Sequence, residues 1–307
     1  MTLALLCPGQ GAQHAGMFAR VAGQADAAAL LAQASAVLGE DVQALAGDPR
    51  RFDNAIAQPL VCLATLSYWA ALKPRLPIAP SLVLGYSVGE LAAHAIAGSF
   101  DARQCLALAQ RRGALMDEAS PADAGLMAVT GLAVGTVTEM GRAHKVLPAI
   151  VNGDDHLVLG GLRTGLIALQ GEVEARGART VLLPVHVPSH TPLLKQAAAE
   201  FERVLSTLPP QRPALRVLAG IDGRMVDTAR QVTQTLSAQI SQTLQWHQVM
   251  QQALERGARV FLELGPGAAL SKMAREIAPD CQARSVEEFK SLQGVADWVS
   301  AAQARMS

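Results

Sequence analysis

Gly85-Tyr86-Ser87-Val88-Gly89 follows the apolar run Leu82-Val83-Leu84 and precedes the helix-forming stretch ELAAHAIAG. A strand, then glycine-x-serine-x-glycine, then a helix is the pattern of a nucleophile elbow, whose sharp turn lifts the serine hydroxyl above the carboxyl edge of a sheet. Glycines flank the serine because a Cβ at either position would clash where strand and helix close together. A helix starting near Val88 also aims free N–H groups at any negative charge developing on a bound acyl group. The competing reading is a purely structural turn. The correct setting between strand and helix favours the nucleophile.

A serine hydroxyl needs a base to take its proton. Of the seven histidines, His94 lies about two helical turns past Ser87 and points away from the elbow tip. His14, His144, His156 and His247 have no special context and read as solvated or hydrogen-bonded surface residues. His186 and His190 flank the VPS segment, and His190, in the turn SHTPLL that leads into a helix, is the better placed base. A hydrolase triad would add an acid, yet none of Asp101, Asp117, Asp123, Asp154 and Asp155 falls at a strand end. Either a backbone carbonyl orients the imidazole or an acid has been overlooked, and the gap hints that water is not the intended acceptor. One further charge stands out. Arg111 and Arg112 are adjacent on a helix, so only one can face inward; Arg111 reads as solvated, whereas Arg112, beside Gly113, could pair two N–H groups with a substrate carboxylate. Spacing alone leaves a solvated Arg112 equally open.

These residues need a frame. LALLC reads as a buried strand stopped by Pro8 and Gly9, residues 21–45 as helical, and Ala57 to Leu72 as a helix apolar all round. Prolines 74, 77 and 80 make a connector into the strand SLVLG. A helix ends at Gly98, and another runs from Ala102 to Ala119. The period then changes to strand, helix, two strands, helix, strand, which is the ferredoxin-like βαββαβ unit. Past it, ARVFLELGPGAALSKMA is a strand, a glycine-rich turn and a helix; lacking a Lys-Ser/Thr ending, the turn reads as close packing and not as a phosphate loop. The expected architecture is a large α/β-hydrolase-like domain (residues 1–122 and 187–307) with a mostly parallel sheet, carrying a small inserted ferredoxin-like domain at residues 123–186.

Composition narrows the setting. Lys+Arg and Asp+Glu are both 26, so no polyanionic partner such as nucleic acid is indicated. The four cysteines, Cys7, Cys62, Cys105 and Cys281, show no metal-knuckle or disulfide spacing, which suits a reducing cytoplasm and predicts no metal site. No apolar run is read as approaching the roughly 18 residues of a membrane span, and no signal peptide is indicated. With 50% hydrophobic and only 4% aromatic residues, the core should be aliphatic.

CPGQGAQ, GYSVGE, RRGALM, VPSH and ELGPG, in this order, resemble the malonyl-CoA:acyl carrier protein transacylases over nearly the whole chain. GYSVGELAAH, GLMAVTGL, LAGIDGR and ARSVEEFKSLQGVADW are most similar to the malonyl-transferring (epsilon) subunit of biotin-independent malonate decarboxylase. The resemblance implies that Ser87 is acylated, that His190 is its general base and acid, and that Arg112 pairs with the malonyl carboxylate. It also implies an oxyanion site formed by Gln10 and the Val88 N–H, and a backbone carbonyl of Gln239 orienting His190, which would account for the missing acid. Tyr86 departs from the histidine that most relatives carry before the nucleophile.

The implied activity is ping-pong transfer of malonyl from malonyl-CoA to the prosthetic-group thiol of an acyl carrier protein, here the carrier subunit of malonate decarboxylase, with no cofactor of the enzyme's own. The alternatives are the equivalent transacylase of fatty-acid or polyketide synthesis, a serine thioesterase or esterase, and a non-catalytic scaffold that holds a carrier. A hydrolase would need a catalytic acid and would tolerate neutral acyl groups; a scaffold would make Ser87→Ala silent.

Overall fold

Leu3 to Cys7 are all buried because their strand lies inside a sheet covered on both faces. A computed structural model describes residues 2–306. Strands β1 (Thr2–Cys7), β2 (Leu82–Gly85), β7 (Arg216–Leu218), β8 (Met225–Val226), β9 (Ala258–Glu263) and β10 (Gln282–Ser285) form a six-stranded sheet in the order β10-β9-β1-β2-β7-β8. Only β8 runs antiparallel to its neighbour. Strands β3 (Ala124–Thr130), β4 (Leu147–Val151), β5 (His156–Leu162) and β6 (Arg179–Leu182) form a separate antiparallel sheet in the order β4-β5-β3-β6.

Alternation along a strand sends successive side chains to opposite faces. Leu3, Leu5 and Cys7 therefore join one core and Ala4 and Leu6 the other, which is why this central parallel strand is apolar without a break from Leu3 to Cys7. Helices α1 (Ala25–Leu38), α2 (Val42–Gly47), α3 (Asn54–Leu72), α4 (Gly89–Ile96) and α5 (Ala102–Ala119) build the first core. The expected single helix over residues 21–45 is two helices, because Gly39 adopts φ 74° and caps α1 through its N–H to Ser35 O. Asp101 starts α5 with a capping box to Gln104.

Helix α3 corrects another expectation. Its 19 residues are long and apolar enough, by length and composition, to cross a membrane. Most of its residues are buried against α1, α4 and α5, so here that composition serves a core helix apolar on all sides.

The small sheet carries α6 (Val134–Ala143) and α7 (Arg163–Glu174) in the order β3-α6-β4-β5-α7-β6, the ferredoxin-like succession expected from the sequence. Its helices close a core of their own around Met127, Val137, Leu159 and Leu169. Its edge strand β4 is stitched to the rest of the chain where Val151 N donates to Leu244 O and Leu244 N to Ala149 O. After β6 the chain passes through 183–191 into α8 (Lys195–Thr207), followed later by α9 (Ala229–Ala238), α10 (Trp246–Glu255), α11 (Ala269–Ile277) and α12 (Leu292–Met306). The second core, around Phe261 and Trp246, lies under α10 and α11. Strands β7 and β8 have no counterpart in the sequence reading, since segments of three and two residues carry too little pattern to register. Overall this is the mixed α/β architecture expected, a mostly parallel sheet joined to a small antiparallel one.

Candidate active site

β1 and β2 pair with Cys7 opposite Gly85, so the loops that follow them, Pro8-Gly9-Gln10 and Tyr86-Ser87, leave the carboxyl edge side by side. The turn between β2 and α4 is very tight. A Cβ on Gly85 would lie 2.2 Å from Glu90 Cα, and one on Gly89 would lie 2.1 Å from Cys7 O. Tyr86 N donates to Cys7 O, and Gly89 N and Glu90 N fold back onto Tyr86 O and Ser87 O. Those bonds hold Ser87 at φ 55°, a left-handed conformation that costs a non-glycine residue about 1–2 kcal/mol.

Ser87 Oγ lies 2.8 Å from His190 Nε2. On the far side of the ring, Nδ1 meets the backbone carbonyl of Gln239 at 2.5 Å. A carbonyl only accepts, so Nδ1 carries the proton and Nε2 is left to accept from the serine hydroxyl. His190 is itself left-handed, φ 63°, with its N–H donating to Ile240 O. Burial, and then the positive charge of Arg112, push its imidazole down to about 3, against the opposing pull of the Gln239 carbonyl. At neutral pH the ring is an uncharged base.

Arg112 is 1% exposed. Its Nη1 donates to Gln58 Oε1 at 2.7 Å and its Nη2 to Gln239 Oε1 at 3.0 Å, while Nε has no partner among the described residues. Both acceptors are neutral amides, so the guanidinium charge is not cancelled by its neighbours. Burial lowers its pKa only to about 10, leaving it cationic at neutral pH. Gly113 permits this: a Cβ there would sit 2.5 Å from Asn54 O, where α5 presses on the start of α3. Arg111 points outward and pairs with Glu118.

Gln10, Gln58, Ser87, Arg112 and His190 line one cavity of about 200 Å³, closed by apolar side chains that include Leu126, Ile150 and Val158 of the small sheet. The Gln10 side chain donates to Asn54 Oδ1 at 2.6 Å, and Asn54 in turn donates to Asp117. What Gln10 can offer an oxyanion is therefore its backbone N–H, which, like that of Val88, has no partner among the described residues. The structure thus gathers Ser87, His190, Arg112 and Gln10 around one hollow, with Gln239 buried behind His190 and Arg112 and Val88 at the head of α4.

The other histidines lie elsewhere. His94 is fully buried beside Ser99 and pushed down to about 3 by burial, His186 is exposed, and His14 and His144 pair with Glu287 and Glu172. Among the described residues no three His, Cys, Asp or Glu side chains gather where a metal ion could sit. All four cysteines are buried and unpaired, and burial raises the thiols of Cys7 and Cys281, as it helps to raise that of Cys105. Tyr86 donates to Asn152 Oδ1 at 3.2 Å and stacks edge-on against Trp246, tying the elbow to the loop after β4.

Three groups escaped the sequence reading. Gln58 is an amide set inside the apolar run of α3, past its first turn, and that isolation was the available signal. Glu90 ends the GYSVGE motif one turn below the serine, yet reads as an ordinary first-turn acid. The Gln239 side chain contacts Arg112, Ser87 O and Glu90, in addition to the part expected of its backbone.

Known proteins match this chain in sequence and fold over nearly their full length. The sequence pattern of the acyl transferase domain matches residues 4–296. The malonyl CoA-acyl carrier protein transacylase of Haemophilus influenzae is 28% identical over 96% of this chain and 98% of its own, and that of Mycobacterium bovis 32% identical over 96% and 99%. The crystal structure of FabD from Acinetobacter baumannii superposes with a TM-score of 0.93 at 28% identity, covering 98% of this chain and 99% of that one. A type II PKS acyl-carrier protein in complex with its malonyl-transacylase gives a TM-score of 0.92 at 28% identity, covering 97% and 99%. An elbow serine, a left-handed histidine and a buried arginine thus stand in a chain that belongs, over nearly all of its length, to the acyl transferase family of the malonyl-CoA:acyl carrier protein transacylases.

Proposed function

We propose that the protein transfers a malonyl group from malonyl-CoA to the prosthetic-group thiol of an acyl carrier protein through an ester on Ser87. The observation that carries this reading is one small cavity holding both a serine–histidine pair at 2.8 Å and a buried, uncancelled guanidinium. The names of the relatives point the same way.

In the first half, Ser87 Oγ attacks the thioester carbonyl and its proton passes to His190 Nε2. The oxyanion is met by the N–H groups of Val88 and Gln10, a contribution of about 3 to 4 kcal/mol per well-placed donor. The C–S bond then breaks, the CoA sulfur takes the proton from His190, and the malonyl ester remains. In the second half the carrier thiol gives its proton to His190 and its sulfur attacks the ester; the bond from the acyl carbon to Ser87 Oγ breaks, the malonyl group leaves as the carrier thioester, and Ser87 Oγ takes the proton back from His190. Arg112 pairs with the free carboxylate throughout and so selects acids over neutral acyl groups. Serine, histidine and arginine supply this chemistry without a cofactor of the enzyme's own. The apolar wall of the small sheet disfavours water as the acceptor.

The carrier complex among the similar structures favours an acceptor of fatty-acid or polyketide synthesis. Tyr86 before the nucleophile, with GLMAVTGL and ARSVEEFKSLQGVADW, favours the malonate decarboxylase carrier as a second reading. Incubation with malonyl-CoA alone should add one malonyl group to the peptide containing Ser87. Chasing that ester with each purified carrier type then decides the acceptor, and labelling at another residue would refute the mechanism.

A further inference from the structure

Glu90 is fully buried at the head of α4, one turn below Ser87. Its Oε2 accepts from Gly220 N at 3.2 Å and from Gln239 Nε2 at 3.1 Å, while Oε1 has no partner among the described residues. Gly220 follows β7 and Gln239 caps α9, so this single carboxyl joins the elbow helix to two segments distant in sequence. Space around it is fixed, since a Cβ on Gly220 would meet Oε2 at 2.8 Å.

Gln239 is where the site converges. Its backbone carbonyl holds His190, its Oε1 holds Arg112, and its Nε2 is shared between Ser87 O and Glu90. The backbone carbonyl is positioned by α9, whose end it forms. The side-chain amide has no such support: two N–H bonds decide where its oxygen points, and Glu90 receives one of them.

We propose that Glu90 is a positioning residue for acyl selectivity, holding the Gln239 amide so that its oxygen keeps Arg112 turned toward the acyl cavity. The role rests on the malonyl-transfer reading and adds to it a residue that touches no substrate. Loss of the Glu90 acceptor leaves the amide held through Ser87 O alone, free to swing about that bond, and the second anchor of Arg112 is loosened. The Ser87–His190 pair, which depends on the carbonyl, is left largely in place. Glu90 need only accept: burial pushes it up to about 8, so at neutral pH it is mainly the uncharged acid, a form that glutamine copies in shape and in its accepting oxygen.

The test compares malonyl-CoA with acetyl-CoA as donor and, separately, the rate at which the neutral serine reagent phenylmethylsulfonyl fluoride inactivates the protein. Glu90→Met should lower the malonyl-to-acetyl ratio of kcat/KM about tenfold or more while the inactivation rate changes less than about threefold. Glu90→Gln should return the ratio to within about threefold of the unaltered chain. Gln239→Met removes the amide itself and should lower the malonyl-to-acetyl ratio as Glu90→Met does, which keeps the test decisive if Glu90→Met does not fold. An unchanged ratio in Gln239→Met or in folded Glu90→Met overturns the proposal. So does an equal loss of malonyl transfer, acetyl transfer and inactivation, or a Glu90→Gln protein as impaired as a folded Glu90→Met. Failure of the transfer reading itself would be seen in the unaltered chain, as inactivation by the reagent without malonyl labelling, and would remove both.

Discussion

Ser87 and His190 occupy the same left-handed region of backbone space, φ 55° and 63°, but they are held there by opposite means. The serine backbone is fixed by its immediate neighbours: β2, two glycines and α4 close within a few residues, and the backbone-to-backbone bonds of the turn reach no further than the adjacent strand. The histidine turn, between β6 and α8, draws its restraint from the end of α9, through Ile240 O to its N–H and Gln239 O to its ring. One half of the pair is a short-range motif. The other half exists only once distant segments have docked.

Substitutions can break this contrast. Ser87→Ala should lower malonyl transfer by about 10³-fold or more, because it removes the hydroxyl that sits against His190 Nε2; steady-state assays check it. On stability the two turns should part company. Gly89→Ala drives a methyl group into the Cys7 carbonyl and should cost more than about 4 kcal/mol or prevent folding. Thr191→Val, which removes the hydroxyl bond to Pro188 O in the histidine turn, should cost only about 1–2 kcal/mol by urea denaturation.

Arg112→Ala should depress malonyl transfer about a hundredfold and acetyl transfer less than tenfold, since only malonate presents a carboxylate to pair. It should also raise the His190 pKa, because the guanidinium charge is one of the two influences that lower it. Equal losses for both donors would remove Arg112 from selectivity.

A pH series sharpens the contrast. His190 is pushed down from 6.5 to about 3, so the folded state holds fewer protons than the unfolded chain between those values. Its contribution to stability is present above about 6.5 and is lost as pH falls toward 3. Glu90, behind the elbow, is raised from 4.5 to about 8, so its contribution is present below about 4.5 and is lost as pH rises toward 8. Urea unfolding across that range should show His190→Gln flattening the acid flank and Glu90→Gln the alkaline one. The smallest effect belongs to Tyr86→Phe, which removes one partly buried hydrogen bond to Asn152 and should cost about 1 kcal/mol with transfer within about threefold.

How much of this was legible follows the same division. The elbow, the bounds of α5 and the βαββαβ succession were all readable, because each is written in residues a few positions apart: flanking glycines, a helical run stopped by Pro121, and a change from helical to alternating periodicity. The choice of His190 over His186 needed only its place in a turn, and the structure buries the first and exposes the second. The break at Gly39 was missed because an alanine-rich stretch looks helical on both sides of it. β7 and β8 were missed because strands this short lack a pattern. Gln58, Glu90 and the Gln239 amide were missed for a different reason: each is an unremarked polar residue until a partner from another part of the chain arrives.

Local sequence by itself determined the tight serine turn, the apolar faces and the order of strands and helices, because backbone sterics and hydrophobic period act over a few residues. Tertiary structure alone decided that Gln239 would stand between base and cation, that Arg112 would be met by amides instead of acids, and that Glu90 would be driven toward its neutral form. Burial and electrostatic partners are properties of space and not of the chain's order, so they come into being only when β1, β2, α5 and the end of α9 close around the same hollow.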